Sequence, residues 1–307
     1  MTIKKTDRIS KSNYSSGYST RSGYASMFID DFSNIISLYG SEEKFKCYLE
    51  PANKDFEKTL ISIIPSHFNS YRSDFNDKVR GFLKTVASHL TQKGYVVFEF
   101  IEITDINDVV SYSLEPVLSL GYKSNSENVI QVLNPEIANK LNYSEVSIPK
   151  DKCYIIEFPE ALGGRKMYTE FLEDFENIES KSPYMNYFQN PLMNQQGYDV
   201  TAHQRINDIE FWKKSNQFGW HHRGGHDKFI SPYYSIYRNL QFRKSQIILR
   251  DFIIDELKKI VISLSEKLIQ QKIEIKIDGL VSLGMIDEKL EKWKKGETLP
   301  GEISNVM

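Results

Sequence analysis

Apolar residues in the last third of the chain recur at steps of three, four and seven. Tyr233, Tyr237, Leu240, Ile247, Ile254, Leu257, Val261, Leu264 and Leu268 therefore share one side of a helix. Ser231 is suited to cap its first turn, and Pro232 fits the first helical position, where the missing N–H has no partner to lose. No Gly or Pro follows before Lys272, so the spacing predicts one helix from Ser231 to Gln271. At helical rise it spans about 60 Å. Ile236, Ile248, Phe252, Ile253 and Ile262 fall outside the main stripe, which predicts burial on more than one side, against the rest of the chain or a neighbouring subunit.

Ahead of this rod the period changes several times. Residues 1–25 hold Ser-Gly-Tyr steps and almost no aliphatic side chains, the composition of a flexible arm. Helical spacing predicts helices over Met27–Tyr39, Asn53–Ile64 and Ser73–Lys93, the last capped by Ser73 and closed by Gly94. Tyr95–Ile103 then reads as a strand, and short β-rich runs follow at Val117–Leu120, Val129–Leu133, Val146–Ile148 and Tyr154–Phe158. No crossover-length helix separates most of these runs, so they predict a small antiparallel sheet. Helices are predicted over Met167–Ile178 and Thr201–Ser215, with a long Asn/Pro/Gln-rich loop over 180–200 between them. After the long helix come a strand over Lys272–Ile277 and a short helix over Ile286–Lys295. The predicted class is α+β: helix-rich, with one long helix in the C-terminal half and a small, mostly antiparallel sheet. Its expected segments are the arm 1–25, a helical segment 26–94, a β-rich wing-like subdomain 95–160, helices and a long loop over 161–230, and the long helix with its terminal strand and helix over 231–307.

Composition narrows the chemistry. The 307 residues suffice for a sizeable core, and eighteen Tyr with eighteen Phe mean that rings supply much of its packing. A formal charge of −2 argues against coating nucleic acid wholesale, although a local basic patch remains open. Cys47 and Cys153 stand far apart without the spacing of a zinc knuckle or a disulfide framework, which fits a reducing, cytoplasmic setting. Neither a secretory leader nor an apolar run of membrane-spanning length is present, so no membrane partner is expected.

The most polar-aromatic segment is Phe218–Lys228, directly before the long helix. His221, His222, His226 and Asp227 lie together there, with His203 upstream, and imidazole with carboxylate can bind a transition metal or move protons near neutral pH. The spacing matches no established metal site, and adjacent loop histidines equally suit a surface or interface. Leu162-Gly163-Gly164-Arg165-Lys166 lacks either phosphate-loop pattern and reads as a turn. There is no GxSxG elbow, so no catalytic residue is assigned and no cofactor is predicted. Along the long helix Arg238, Arg243, Lys244 and Arg250 suggest a mildly basic side: a solvated face with i,i+4 pairs, or a surface facing nucleic acid.

The order of elements resembles the portal, or head-to-tail connector, proteins of tailed phages. Leu83–Gly94 followed by Tyr95-Val96-Val97-Phe98-Glu99 is similar to their helix that runs into a Gly and then a strand with an acidic residue. Ile148-Pro149-Lys150-Asp151-Lys152-Cys153-Tyr154-Ile155-Ile156 resembles the phrase ending their wing sheet, and Ser231-Pro232 the step opening their long helix. The resemblance spans 27–295. It implies a structural, non-enzymatic homo-oligomeric ring through which double-stranded DNA passes during packaging and ejection, with other head or packaging proteins as partners and the virion as destination. Two other readings stand beside it. One is a metal-dependent or acid–base enzyme acting on nucleic acid through His221, His222, His226, Asp227 and His203. The other is a cytosolic interaction protein of a defence or prophage locus.

Overall fold

The long helix forms where the apolar spacing predicts it and is the element that the others pack around. The computed structural model describes residues 23–37, 43–65, 74–104, 110–117, 121–133, 142–180, 200–220 and 231–303, with single positions 108, 135, 138 and 139. In the two helices bordering 181–199, the described side chains are those of 164–178 and 207–215.

In chain order the helices are α1 (Gly23–Ser33), α2 (Lys54–Ile63), α3 (Phe75–Lys93), α4 (Gly164–Ser180), α5 (Val200–Ser215), α6 (Pro232–Ile269), α7 (Leu283–Lys294) and α8 (Pro300–Ile303). The strands are β1 (Lys46–Glu50), β2 (Tyr95–Thr104), β3 (Val110–Pro116), β4 (Gly121–Ser124), β5 (Asn128–Val132), β6 (Glu145–Pro149), β7 (Cys153–Glu157) and β8 (Glu274–Asp278). They form three small antiparallel sheets, β1–β8, β3–β2–β7 and β4–β5–β6. The protein is α+β, with the long helix α6 in its C-terminal half.

Local chemistry sets the boundaries. Ser231 Oγ accepts from the Tyr234 N–H at 3.2 Å, so α6 starts at Pro232 as the cap and proline require. It ends at Ile269, where Gln270 turns left-handed. Asn53 caps α2 through the Phe56 N–H at 2.9 Å. The cap of α3 is Asp74 rather than Ser73, which lies outside the described residues; Asp74 Oδ1 accepts from the Asp77 N–H at 2.8 Å. Gly94, at φ 74°, closes that helix as predicted.

Two expectations change at the N-terminal side. Helix α1 begins at Gly23, inside the stretch expected to be a flexible arm, because Ala25 is fully buried and Tyr24 stacks on Phe211 at 3.9 Å. It stops at Ser33 instead of running to Tyr39. The carbonyls released at its end are taken by α6: Gln246 Nε2 donates to Asp31 O at 2.8 Å and to Asn34 O at 2.9 Å. Residues 1–22 lie outside the described set. Among the strands, β1, β3 and β4 were not anticipated. Residues 118–120 of the expected Val117–Leu120 strand lie outside the described residues, and Val117 adds only one bond, from its N–H to Val97 O at 2.7 Å.

Strand β1 supplies the partner that β8 lacks in sequence. Lys46 pairs with Asp278 and Glu50 with Glu274, which joins the segment after the long helix to the N-terminal third. Gly279, at φ 76°, lies against the backbone of Lys44 with no room for a Cβ.

The main core gathers α1, α2, α3, the inner face of β2 and β7, α4, and one side of α6 from Leu249 to Leu264. It is strongly aromatic: Phe28 lies within 5.5 Å, centroid to centroid, of Phe32, Phe171, Phe218 and Trp220. A second cluster packs Leu240 and Ile247, on another side of α6, against Ile286, Leu290 and Trp293 of α7 and Ile303. The expected burial of the rod on more than one side is met within the chain itself. Among the described residues no helix is long and apolar enough to cross a membrane.

Since α6 threads both clusters, a cavity in either should weaken one shared unfolding transition. Leu257→Ala and Leu240→Ala, both fully buried, are each expected to lose about 2–5 kcal/mol. Urea unfolding followed by both tryptophan fluorescence and circular dichroism should show coincident curves for each variant. Separate transitions for the two probes would show instead that α7 folds independently.

Candidate functional site

Seven-residue steps along α6 put Arg243, Arg250, Leu257 and Leu264 in one row. The first two positions carry charge where the last two carry leucine, and all four are buried. The arginines expected on a basic surface therefore lie inside the molecule. Arg238, Arg243 and Arg250 are each at most 2% exposed, and they do not present charge to a phosphate backbone in this structure. Lys244 differs: it is partly exposed and pairs with Asp287 Oδ1 at 2.7 Å.

Buried guanidinium groups are costly unless their charge and most of their N–H donors are answered, and at Arg243 the Nε–H is buried without a partner among the described residues. Glu43, from the segment before β1, is placed between two of them. Its Oε1 accepts from Arg243 and from Arg250 Nη1, the latter at 2.5 Å, and its Oε2 accepts from the Ser37 N–H at 2.6 Å. Arg243 Nη1 donates onward to Ile35 O at 3.1 Å, and Arg250 Nη2 to Val281 O at 2.6 Å. Arg250 also meets the half-exposed Asp251 carboxylate at 2.9 Å. Burial pulls the Arg243 guanidinium below its ordinary value, with Glu43 opposing and Arg250 adding to the fall. An arginine remains cationic under such a shift. One carboxylate thus fastens α6 to the end of α1 and the start of β1, and its two arginines extend the tie to the loop before α7.

Arg238 has a different environment. It donates to the carbonyls of Gly219, at 3.2 Å, and Trp220, and to the side chain of Asn216. Its guanidinium also lies 5.4 Å from the Trp212 ring centroid. These contacts pin the 216–220 turn to α6. Gly219 takes a left-handed φ of 80° there, and a side chain would collide with the backbone of Phe242 and Cβ of Gln241. Trp220 Nε1 adds a bond to Asp31 Oδ2 at 2.9 Å.

That turn leads into the histidine-rich segment. His221, His222, His226 and Asp227 lie outside the described residues, and His203 lies in α5 with its side chain outside them as well. Among the described residues no group of three or more His, Cys, Asp or Glu side chains is placed to hold a metal. Cys47 and Cys153 are both thiols, each pushed up to about 12. Burial is the main cause in both, with Asp74 and Glu57 adding to it at Cys47 and Glu99 and Asp151 at Cys153. Such thiols stay protonated and weakly nucleophilic near neutrality.

Sequence reasoning passed over a second polar cluster at the junction of β4, β7 and α4. Gly163 and Gly164 form the predicted turn, with φ of 97° and 73°, and the helix it opens presents Arg165 to two rings. The guanidinium lies 4.3 Å from the Tyr95 centroid and 4.9 Å from that of Tyr122. Arg165 Nη1 and the Tyr122 hydroxyl both donate to Glu157 Oε1, at 2.9 and 2.7 Å. Burial alone would raise Glu157, but these two hydrogen bonds and the Arg165 charge outweigh it and hold the carboxyl below its usual value. The only trace in sequence was the Gly-Gly-Arg-Lys step, which by itself reads as a turn. The chain matches no protein-family model and no curated protein.

Removing the Glu43 charge leaves two buried arginines without their shared carboxylate. Glu43→Gln is expected to lower stability by about 3–5 kcal/mol. Lys58→Ala, at the solvent-exposed Asp55 pair, should leave the denaturation midpoint essentially unchanged. Equal midpoints for wild type and Glu43→Gln in urea would show that the buried cluster contributes nothing.

Proposed function

We propose that this chain is a non-enzymatic structural subunit of a phage-portal type, which assembles into a homo-oligomeric ring that passes double-stranded DNA. The observation that carries the reading is where the quoted sequence phrases fall in the architecture. Helix α3 ends at Gly94 and β2 begins at Tyr95 with Glu99 within it. Strand β6 ends at Pro149 and β7 begins at Cys153 after one 3-10 turn. Ser231 and Pro232 open the longest described helix. Each phrase falls at a junction between elements, and these follow one another as helix, strand, small sheet, strand and long helix, which supports the reading.

In this reading the long helix is a rod fixed inside its own subunit. Arg238, Arg243 and Arg250 are not its DNA contacts, because their charge is spent internally. DNA would be met by shape and by exposed positions elsewhere, with no base-specific readout. Ring formation requires a heterologous contact, one surface of each copy meeting a different surface of the next. The partners are other copies of the chain, DNA and head or packaging proteins, and the setting is the cytoplasm before incorporation into a virion.

The expected result is a closed ring, seen as a discrete high mass by light scattering and as annular particles by electron microscopy. It should retain duplex DNA at low salt and release it as salt rises. A strictly monomeric protein that retains no DNA at low salt would overturn the proposal.

A further inference from the structure

The side sheet β4–β5–β6 stands apart from the main core. Among the described residues it meets the body at a small separate cluster in which Val129 of β5 and Tyr122 of β4 join Tyr95 and Val97 of β2 and Ile155 of β7. Its outer positions are polar or exposed: Lys123 and Ser124 on β4, Glu145, Ser147 and Pro149 on β6. A unit held apart from the main core by a small apolar cluster opens more readily than a core element. Its docking depends on what surrounds Tyr122.

Tyr122 is held from three directions. Its ring meets Tyr95 edge to face at 4.9 Å, the Arg165 guanidinium lies over it, and its hydroxyl donates to Glu157. Arg165 and Glu157 belong to the body, and they also pair with each other. Beneath them lies an opposing feature. The Tyr95 ring is buried, and its hydroxyl oxygen has no hydrogen-bond partner among the described residues. With the cluster closed, that hydroxyl is out of water and has no bond in place of the one water would give it, a penalty comparable to the gain from an ordinary hydrogen bond.

We propose that Tyr122, Glu157 and Arg165 form a latch holding the side sheet on the body, and that the unpartnered Tyr95 hydroxyl keeps the closed state only marginally favoured, so that the sheet opens as a unit. The two halves act with opposite sign, which separates a latch from a merely structural contact. Weakening the latch should loosen the side sheet alone, whereas removing the hydroxyl should tighten it. The inference concerns the single chain and is independent of the ring reading.

Hydrogen–deuterium exchange of the intact chain, read by peptide, tests both halves. In Arg165→Ala, amides of 121–132 and 145–149 should exchange about tenfold faster, while those of 240–264 keep their wild-type rate. In Tyr95→Phe the same side-sheet amides should exchange several-fold more slowly. Tyr122→Phe, which removes only the hydroxyl donated to Glu157, reads the latch if Arg165→Ala fails to fold, and should also speed side-sheet exchange. Any other pattern overturns the proposal: unchanged side-sheet exchange in the latch variants, equal acceleration over 240–264, or a Tyr95→Phe side sheet that exchanges as fast as wild type or faster.

Discussion

The shared carboxylate of Glu43 is the constraint on which the rest of this structure depends. Two arginines one heptad apart on α6 are less than 5% exposed, and an unanswered guanidinium in such surroundings would be driven to water. Water is reached only by turning the helix. Turning it would withdraw Leu257 and Leu264, in the same row, from the main core. The apolar row and the charged pair therefore specify the same rotation, provided that Glu43 is brought to them. The polypeptide does so by ending α1 early, with the Ile35 carbonyl open to Arg243 and Glu43 shortly before β1 in sequence. The β1–β8 pairing then places the strand after the long helix beside the segment before it. Helix rotation, the break after Ser33 and the terminal strand pairing thus follow from one buried charge balance.

That balance also explains which parts of the fold were legible in the sequence. The existence of α6, its Ser-Pro start, the Gly94 stop and the strand beginning at Tyr95 all rest on local signals, namely capping, backbone freedom and periodicity, and these read directly from neighbouring residues. The orientation of the charged residues on α6 is a tertiary property. A row of Arg, Arg, Leu, Leu at seven-residue steps is as compatible with a solvated stripe as with a buried one until the position of Glu43 is known. Glu43 itself sits in the polar run Ser41-Glu42-Glu43-Lys44, where nothing local separates it from a surface charge. Strand β1 was missed for a related reason: Lys46–Glu50 alternates over only five residues, and its partner lies more than two hundred positions away. The expected flexible arm ran three residues too far because Tyr24 and Ala25 are fixed by Phe211 and the aromatic core, contacts that composition does not reveal.

The candidate site divides along the same line. Arg238, Arg243, Lys244 and Arg250 were recognisable as a set, but their grouping by charge concealed three different environments: a carbonyl-lined turn, a shared buried carboxylate and a partly exposed ion pair. In the first of these, Arg238 holds the carbonyls of Gly219 and Trp220, which directly precede His221 in sequence.

The two arginine–carboxylate arrangements mark opposite energetic regimes in one chain. At Glu43 both partners are out of water, so the attraction is strong, the loss of one partner is severe, and the arrangement permits one geometry. At Glu157 the carboxylate and Arg165 keep part of their hydration, with about half and a third of their side-chain surface exposed. Solvent screens that pair, and its worth approaches that of a surface ion pair supplemented by two ring contacts. The long helix is fastened by the first kind of contact, and the side sheet, which meets the body at a small separate cluster, is held by the second. The distribution of buried and half-buried charge thus separates a rigid body from an element able to move against it. That separation arises from the placement of Glu43 and Glu157, residues of identical chemistry, on opposite sides of the accessibility of water.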